Sequence, residues 1–120
     1  MIRGIRGATT VENNHADEIV QRSAELLKDL VQQNGIQPDD IVSVFFTVTE
    51  DVTEAFPAKS IRELEGWTYV PVMCMREIPV PDSLQKCIRV MVTAETTKDQ
   101  ADIHHIYHHE AQELRPDLKR

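Results

Sequence analysis

Basic residues are in the minority: 13 Lys and Arg stand against 20 Asp and Glu, for a formal charge of −7. The pI is near 5.1. The average field repels polyanions, and no broad basic surface exists from which counterion release could drive binding, so nucleic acid is excluded as a partner. Long apolar runs are missing as well. Nothing approaches the roughly 20 apolar residues of a membrane span, and Met1 to Arg6 lacks the apolar core of a signal peptide, so no membrane partner and a cytoplasmic location are expected. Cysteine is limited to Cys74 and Cys87, too few for a secreted disulfide scaffold and without zinc-finger or CxxC spacing; both read as reduced thiols. There is no GxGxxG or GxxxxGK[ST] to cradle phosphates, and no Ser, His and Asp arrangement in a nucleophile-elbow context. Repeats, linkers and low-complexity tracts are absent. With 28% charged and 5% aromatic residues in a mixed pattern, the 120 residues read as one domain, 1–120, small enough that association would help bury more surface.

What is present alternates between strand and helix signals. Residues 2–10, with Gly4 and Gly7, read as a short strand in which Arg3 and Arg6 lie on opposite faces, one of them toward solvent. Over 14–33, Ile19, Val20, Leu26, Leu27, Leu30 and Val31 form one stripe at helical spacing, with Asn14 as N-cap, Asp17 at N3 and Gly35 just past the end. Pro38 to Asp40 is a turn. The β-branched and aromatic run 41–49 predicts a largely buried strand, Val42, Val44, Phe46 and Val48 alternating with Ser43, Phe45 and Thr47. Pro57 and Gly66 bracket a short helix over 58–65 that puts Lys59 and Arg62 on one face. Further strands are expected over 69–75, 84–93 and 103–109, with an irregular link at Pro79 and Pro81 and a turn at 99–102. Cys74 and Glu77, three apart, share a face only if the strand ends or bulges between them, whereas Cys87, Arg89 and Met91 share one directly. The pattern argues α+β, a mixed sheet with one long and one short helix on one face.

Two constellations carry chemistry. The first is an acid and an arginine set where apolar residues are expected, Glu77 and Arg89, which cost several kcal/mol of desolvation unless something offsets it. An ion pair between neighbouring strands is the bland reading, and taken alone the residues favour it. With Arg6, Arg62, Arg115, Lys59 and Tyr107, however, the set offers permanently charged guanidinium groups, one acid and one phenol. That suits a dianionic ligand better than acid–base hydrolysis. The second is His104 to His109. In a helix it offers metal-pair spacing; in a strand His105 and His109 flank Tyr107 and His104 and His108 flank Ile106. No motif fixes an accompanying carboxylate, so this reads as a solvated histidine strand with Tyr107 its interesting member, and neither metal nor cofactor is expected.

The segments IRGIRGATT (2–10), FPAKSIRELEGWTYVPVMCMREI (56–78), KCIRVMVT (86–93), the Tyr107 region and LRPDL (114–118) resemble the trimeric α+β class of monofunctional chorismate mutase. The resemblance spans nearly the whole chain. It implies a pseudo-α/β-barrel homotrimer with its sites between neighbouring subunits, rearranging chorismate to prephenate on the route to phenylalanine and tyrosine. By similarity Arg6, Cys74, Glu77, Arg89 and Tyr107 come from one subunit and Phe56, Ala58, Lys59 and Arg62 from the next. Leu114 and Arg115 belong to a tail, about 110–120, that closes over the mouth. Arg89, Glu77 and Arg6 are the implied catalytic residues. Met73 stands where the family often has threonine, which leaves any contact there to backbone, and the tail ending at Arg120 implies that lid contacts further on are missing. A pericyclic step needs no nucleophile and no proton transfer, which suits a chain lacking both a triad and a metal motif. The competing readings are a non-catalytic trimeric module that binds an aromatic-pathway metabolite and a small trimeric hydrolase of imines or enamines.

Overall fold

The computed structural model describes residues 1–114. Five strands, β1 (Ile2–Thr10), β2 (Ile41–Val48), β3 (Val72–Arg76), β4 (Cys87–Glu95) and β5 (Ile106–Tyr107), form one sheet in the order β3-β2-β4-β1-β5. β4 runs antiparallel to both β1 and β2, while β1 with β5 and β2 with β3 are parallel, so the sheet is mixed and the fold α+β, as the sequence pattern predicts. Helix α1 (Ala16–Asn34) and a 3-10 helix, Pro57–Glu63, cover one face. Ile19, Leu26, Leu27 and Leu30 of α1 pack there on Ile5, Val44, Phe46, Ile88, Val90 and Val92 in one continuous core. Gly7 is what lets α1 come so close. A Cβ at that position would stand 3.1 Å from Val90, 3.2 Å from Leu26 and 3.3 Å from Leu30, tighter than side chains normally pack.

The opposite face is covered neither by α1 nor by the 3-10 helix Pro57–Glu63. It exposes Phe45 (37%), Met73 (60%), Met75 (43%) and Met91 (39%), an apolar strip across adjacent strands of a kind that marks an interaction surface. No helix among the described residues is long and apolar enough to cross a membrane.

Several boundaries differ from expectation for identifiable reasons. The N-cap of α1 is His15, whose Nδ1 accepts from the Asp17 N–H at 3.3 Å. Asn14 is taken up elsewhere, its carboxamide oxygen accepting from the Thr53 and Glu54 N–H groups. Gly35 closes the helix with φ +63°, as expected, and Ile36 N donates back to Val31 O at 2.9 Å. The short helix is a 3-10 helix starting at Pro57, with i→i+3 bonds such as Lys59 N to Phe56 O, and its threefold winding keeps Lys59 and Arg62 on one edge. An irregularity between Ile41 and Ser43 turns Val42 outward, to 48% exposure, against the alternation read from sequence. Arg3 and Arg6 do lie on opposite faces, but both are half-buried, Arg3 because its Nε donates to Lys98 O at 3.2 Å.

The stretch 103–109 is a strand for only two residues. His104, His105 and His108 are half-buried and engaged, correcting the reading of a solvated histidine strand. Asn34 clamps the backbone of His104, donating to its carbonyl and accepting its N–H, both at 2.8 Å. His108 Nε2 meets Asp29 Oδ2 at 2.7 Å. Among the described residues no group of three or more His, Cys, Asp or Glu side chains is placed to hold a metal ion.

Candidate active site

Strand register lays the polar residues out in two rows on the face away from α1. In one row Tyr107 pairs with Ala8, Ala8 with Arg89, Arg89 with Thr47 and Thr47 with Met75. In the next, Arg6 pairs with Met91, Met91 with Phe45 and Phe45 with Met73. Paired residues share a face, so Arg6, Arg89 and Tyr107 converge although they come from three strands. They line a hollow of about 360 Å³ together with Ala8, Phe45 and Leu114. Ala8 is its floor, a methyl between two long side chains. Ala8→Leu should fill the hollow and raise KM for the ligand at least about tenfold, at about 1–3 kcal/mol of overpacking, with the circular dichroism spectrum unchanged. Steady-state kinetics would check it, and an unaltered KM would mean that the ligand does not enter here.

Glu77 reaches the same face because the β2–β3 ladder runs one bond past the strand. Glu77 N donates to Val48 O at 2.8 Å, so Glu77 keeps the parity of Met73 and Met75. Thr47 Oγ1 then donates to Glu77 Oε2 at 2.5 Å, and the same oxygen stands 3.4 Å from Arg89 Nε. That ionic contact falls short of a hydrogen bond. Among the described residues Arg89 Nε is buried without an acceptor, and Tyr107 Oη is buried without a partner too. Buried polar atoms left unpaired are rare and call for a reason. A purely structural ion pair, the bland reading, does not supply one, because it would close on Nε and would leave Tyr107 unaccounted for. Ahead of Arg89, Asp51 fixes the start of β4, accepting the Lys86 N–H at 3.0 Å through each oxygen and the Thr49 hydroxyl at 2.5 Å.

Cys74 stands apart from this group. It pairs with core-facing Phe46, so strand parity sends it to the other side of β3, with no bulge to bring it beside Glu77. There it lines a second hollow, about 480 Å³, with Phe56 and Lys59, and takes a hydrogen bond from the Ala58 backbone. Phe56 is 68% exposed, and Lys59 and Arg62 are displayed outward. Met75 borders both hollows. The residues therefore fall into two groups on opposite sides of the edge strand β3: Arg6, Glu77, Arg89, Tyr107 and Leu114 in one, Phe56, Ala58, Lys59 and Cys74 in the other. Met73 lies in the row of Arg6, exposed, and Arg115 is outside the described residues.

Burial disfavours the thiolate of both cysteines. Burial pushes Cys87 up to about 11, the Arg89 guanidinium pulling the other way without prevailing, and burial also raises Cys74 against the Ala58 hydrogen bond. The site offers fixed cations, a phenol and a carboxylate around an anion-sized hollow, arranged to hold and polarise. Thr47 and Ala8 were missed in the sequence, since nothing but register singles out a threonine or an alanine in a strand.

The family described as chorismate mutase type I matches residues 2–118. The chain is 49% identical to the chorismate mutase AroH of Bacillus subtilis (strain 168) over 118 residues, 98% of this chain and 93% of that relative. It is 47% identical to the chorismate mutase AroH of Thermus thermophilus over 120 residues, 99% of this chain and 98% of that one. A solved chorismate mutase from Clostridium thermocellum superposes with a TM-score of 0.90 at 53% identity, covering 93% of this chain and 99% of its own.

Proposed function

The chain belongs to the type I chorismate mutase family, and we infer that its two groups of site residues meet only between copies, in a cytoplasmic homotrimer of pseudo-α/β-barrel form. It is a chorismate mutase, an isomerase that rearranges chorismate to prephenate in aromatic amino acid biosynthesis. The rearrangement breaks the ether C–O bond and forms a C–C bond within one molecule, so no nucleophile, proton carrier or cofactor is required of the protein.

Each chain is one domain and supplies half of each of two sites. One copy provides Arg6, Glu77, Arg89 and Tyr107, with Leu114 at the mouth. Its neighbour provides Phe56, Ala58, Lys59 and Arg62. Cys74, expected by resemblance with the first group, goes with the second because it lies beside Ala58. The apolar strip of Phe45, Met73, Met75 and Met91 supports the assembly, since a second copy would bury it.

Catalysis then has two components. Arg6 and Tyr107 grip a carboxylate and, with the neighbour's cations, select the compact diaxial chair of a flexible dianion. Arg89 stands at the ether oxygen, where negative charge grows as the bond breaks, and a preorganised cation in a site with little water contributes most. Glu77 accepts the ring hydroxyl and balances Arg89. The observation that carries this reading is the convergence of Arg6, Arg89 and Tyr107 on one hollow, with Arg89 Nε and Tyr107 Oη buried and without partners among the described residues.

The test is the decay of chorismate's near-ultraviolet absorbance with purified, metal-stripped protein, any prephenate being converted by acid to phenylpyruvate. Saturable loss with prephenate formed is expected. Binding without conversion by folded protein would instead make the cleft a metabolite-binding module.

A further inference from the structure

We propose that His105 is a positioning residue for Arg6. The inference rests on the reading of Arg6 as a substrate-gripping residue and adds a part that neither the family resemblance nor the rows of paired residues supplied. In a strand, alternate N–H groups point to alternate neighbours. The Arg6 N–H points toward β5, but that strand pairs only Gly7 with Ile106 and Ala8 with Tyr107. Among the described residues no strand carbonyl takes the Arg6 proton. The His105 imidazole does, its Nδ1 accepting at 2.9 Å, so a side chain extends the sheet by one bond at the residue that carries the guanidinium.

The ring is held firmly enough for this to matter. Just before it, the Asn34 carboxamide fixes the His104 N–H and C=O, and is itself buried and tied to Leu30 O at 2.8 Å. Just after β5, His108 N donates to Ala8 O at 2.9 Å, and its ring meets Asp29 on α1. Residues 104–108 thus form a strap anchored to α1 at both ends, with Tyr107 hung from it on the site side and His105 reaching across to the Arg6 backbone. Both groups assigned to one carboxylate are set by the same strap. Loss of the His105 bond frees the Arg6 backbone to shift. A shift of a few tenths of an ångström at the backbone is amplified along a four-bond side chain, so the expected defect is in ligand grip more than in the chemical step.

Side-chain geometry provides the discriminating variants. The oxygen of asparagine lies as far from Cβ as Nδ1 of histidine does, whereas the oxygen of glutamine lies one bond further, at the place of Nε2. His105→Asn should keep KM for chorismate within about threefold of the parent, while His105→Gln and His105→Leu should raise it about tenfold or more with a smaller change in kcat. In an Arg6→Gln background, His105→Leu should add less than about twofold, because a positioning residue has nothing left to position. Thermal midpoints accompany each variant, and if the leucine variant unfolds, the asparagine–glutamine comparison decides. Equal KM values for those two, or additive effects in the double variant, would overturn the proposal. If Arg6→Gln alone left KM unchanged, the substrate-gripping role of Arg6 would fall and this inference with it. A raised KM for Arg6→Gln beside an unchanged KM for His105→Gln would sink the inference and leave the site reading intact.

Discussion

Replacing Arg89 by alanine should lower kcat at least about a hundredfold, the scale of losing an oxyanion donor, with the protein still folded. The fold should survive because Arg89 lies on the solvent-facing side of β4, between Val90 and Ile88 that carry the packing, and because Glu77 keeps its bond from Thr47. What is lost is a guanidinium fixed by strand register between Ala8 and Thr47, its two partners in the same row. Arg89→Lys should also be poor. An ammonium keeps the charge but presents no planar fork, and it is more strongly hydrated, so it stabilises the developing charge less and at the wrong place. Single-turnover decay of chorismate absorbance separates the chemical step from binding. A kcat for Arg89→Ala close to that of the parent would remove Arg89 from the ether oxygen.

The second large effect concerns where a site begins and ends. Lys59 lines the hollow on the far side of β3 from Arg89, and Arg62, on the same 3-10 helix, lies beside α1, so in the proposed arrangement one ligand meets all three only between copies. Suppose Arg89→Ala chains are refolded at equal ratio with chains carrying Lys59→Ala and Arg62→Ala. Each parent is slow, but a site built between copies draws one half from each neighbour, and about a quarter of the sites regain both intact halves. Activity should therefore rise to about a quarter of that of the unmodified protein. If native mass spectrometry showed mixed assemblies while activity stayed at the mean of the two parents, the site would lie within one chain.

Much of this architecture is legible in the sequence, and particular residues show why the rest is not. Hydrophobic period places α1 and the main strands because burial itself writes that period. The parity of Cys74 and Glu77 raises the right question, whether one face can hold both, and the structure answers that it does not. The N-cap was out of reach because Asn14, the better capping side chain, is recruited by the loop at Thr53, a contact 39 residues away. Val42 was misplaced by a bulge that leaves no mark on composition. The convergence of Arg6, Arg89 and Tyr107 depends on register between strands, which alternation within a strand does not specify, so only resemblance joined them in advance. His105 looked like part of a surface stretch, since nothing in a run of histidines tells which ring nitrogen will meet a backbone N–H.

The two rows have a consequence for how this chain can change length. Arg6, Arg89, Thr47 and Tyr107 occupy strands whose side chains alternate between the site and the core, so inserting or deleting one residue within β1, β2 or β4 would exchange the two. An arginine would enter the packing under α1 and a valine would line the hollow, a double loss that no neighbouring substitution restores. The segments 49–56, 66–71 and 77–86 connect the strands without entering either row, and only Phe56 and Glu77 at their ends belong to the two groups of site residues. Divergence by insertion is thereby channelled into those connections, and within β1, β2 and β4 the spacing of residues is under tighter constraint than their identity.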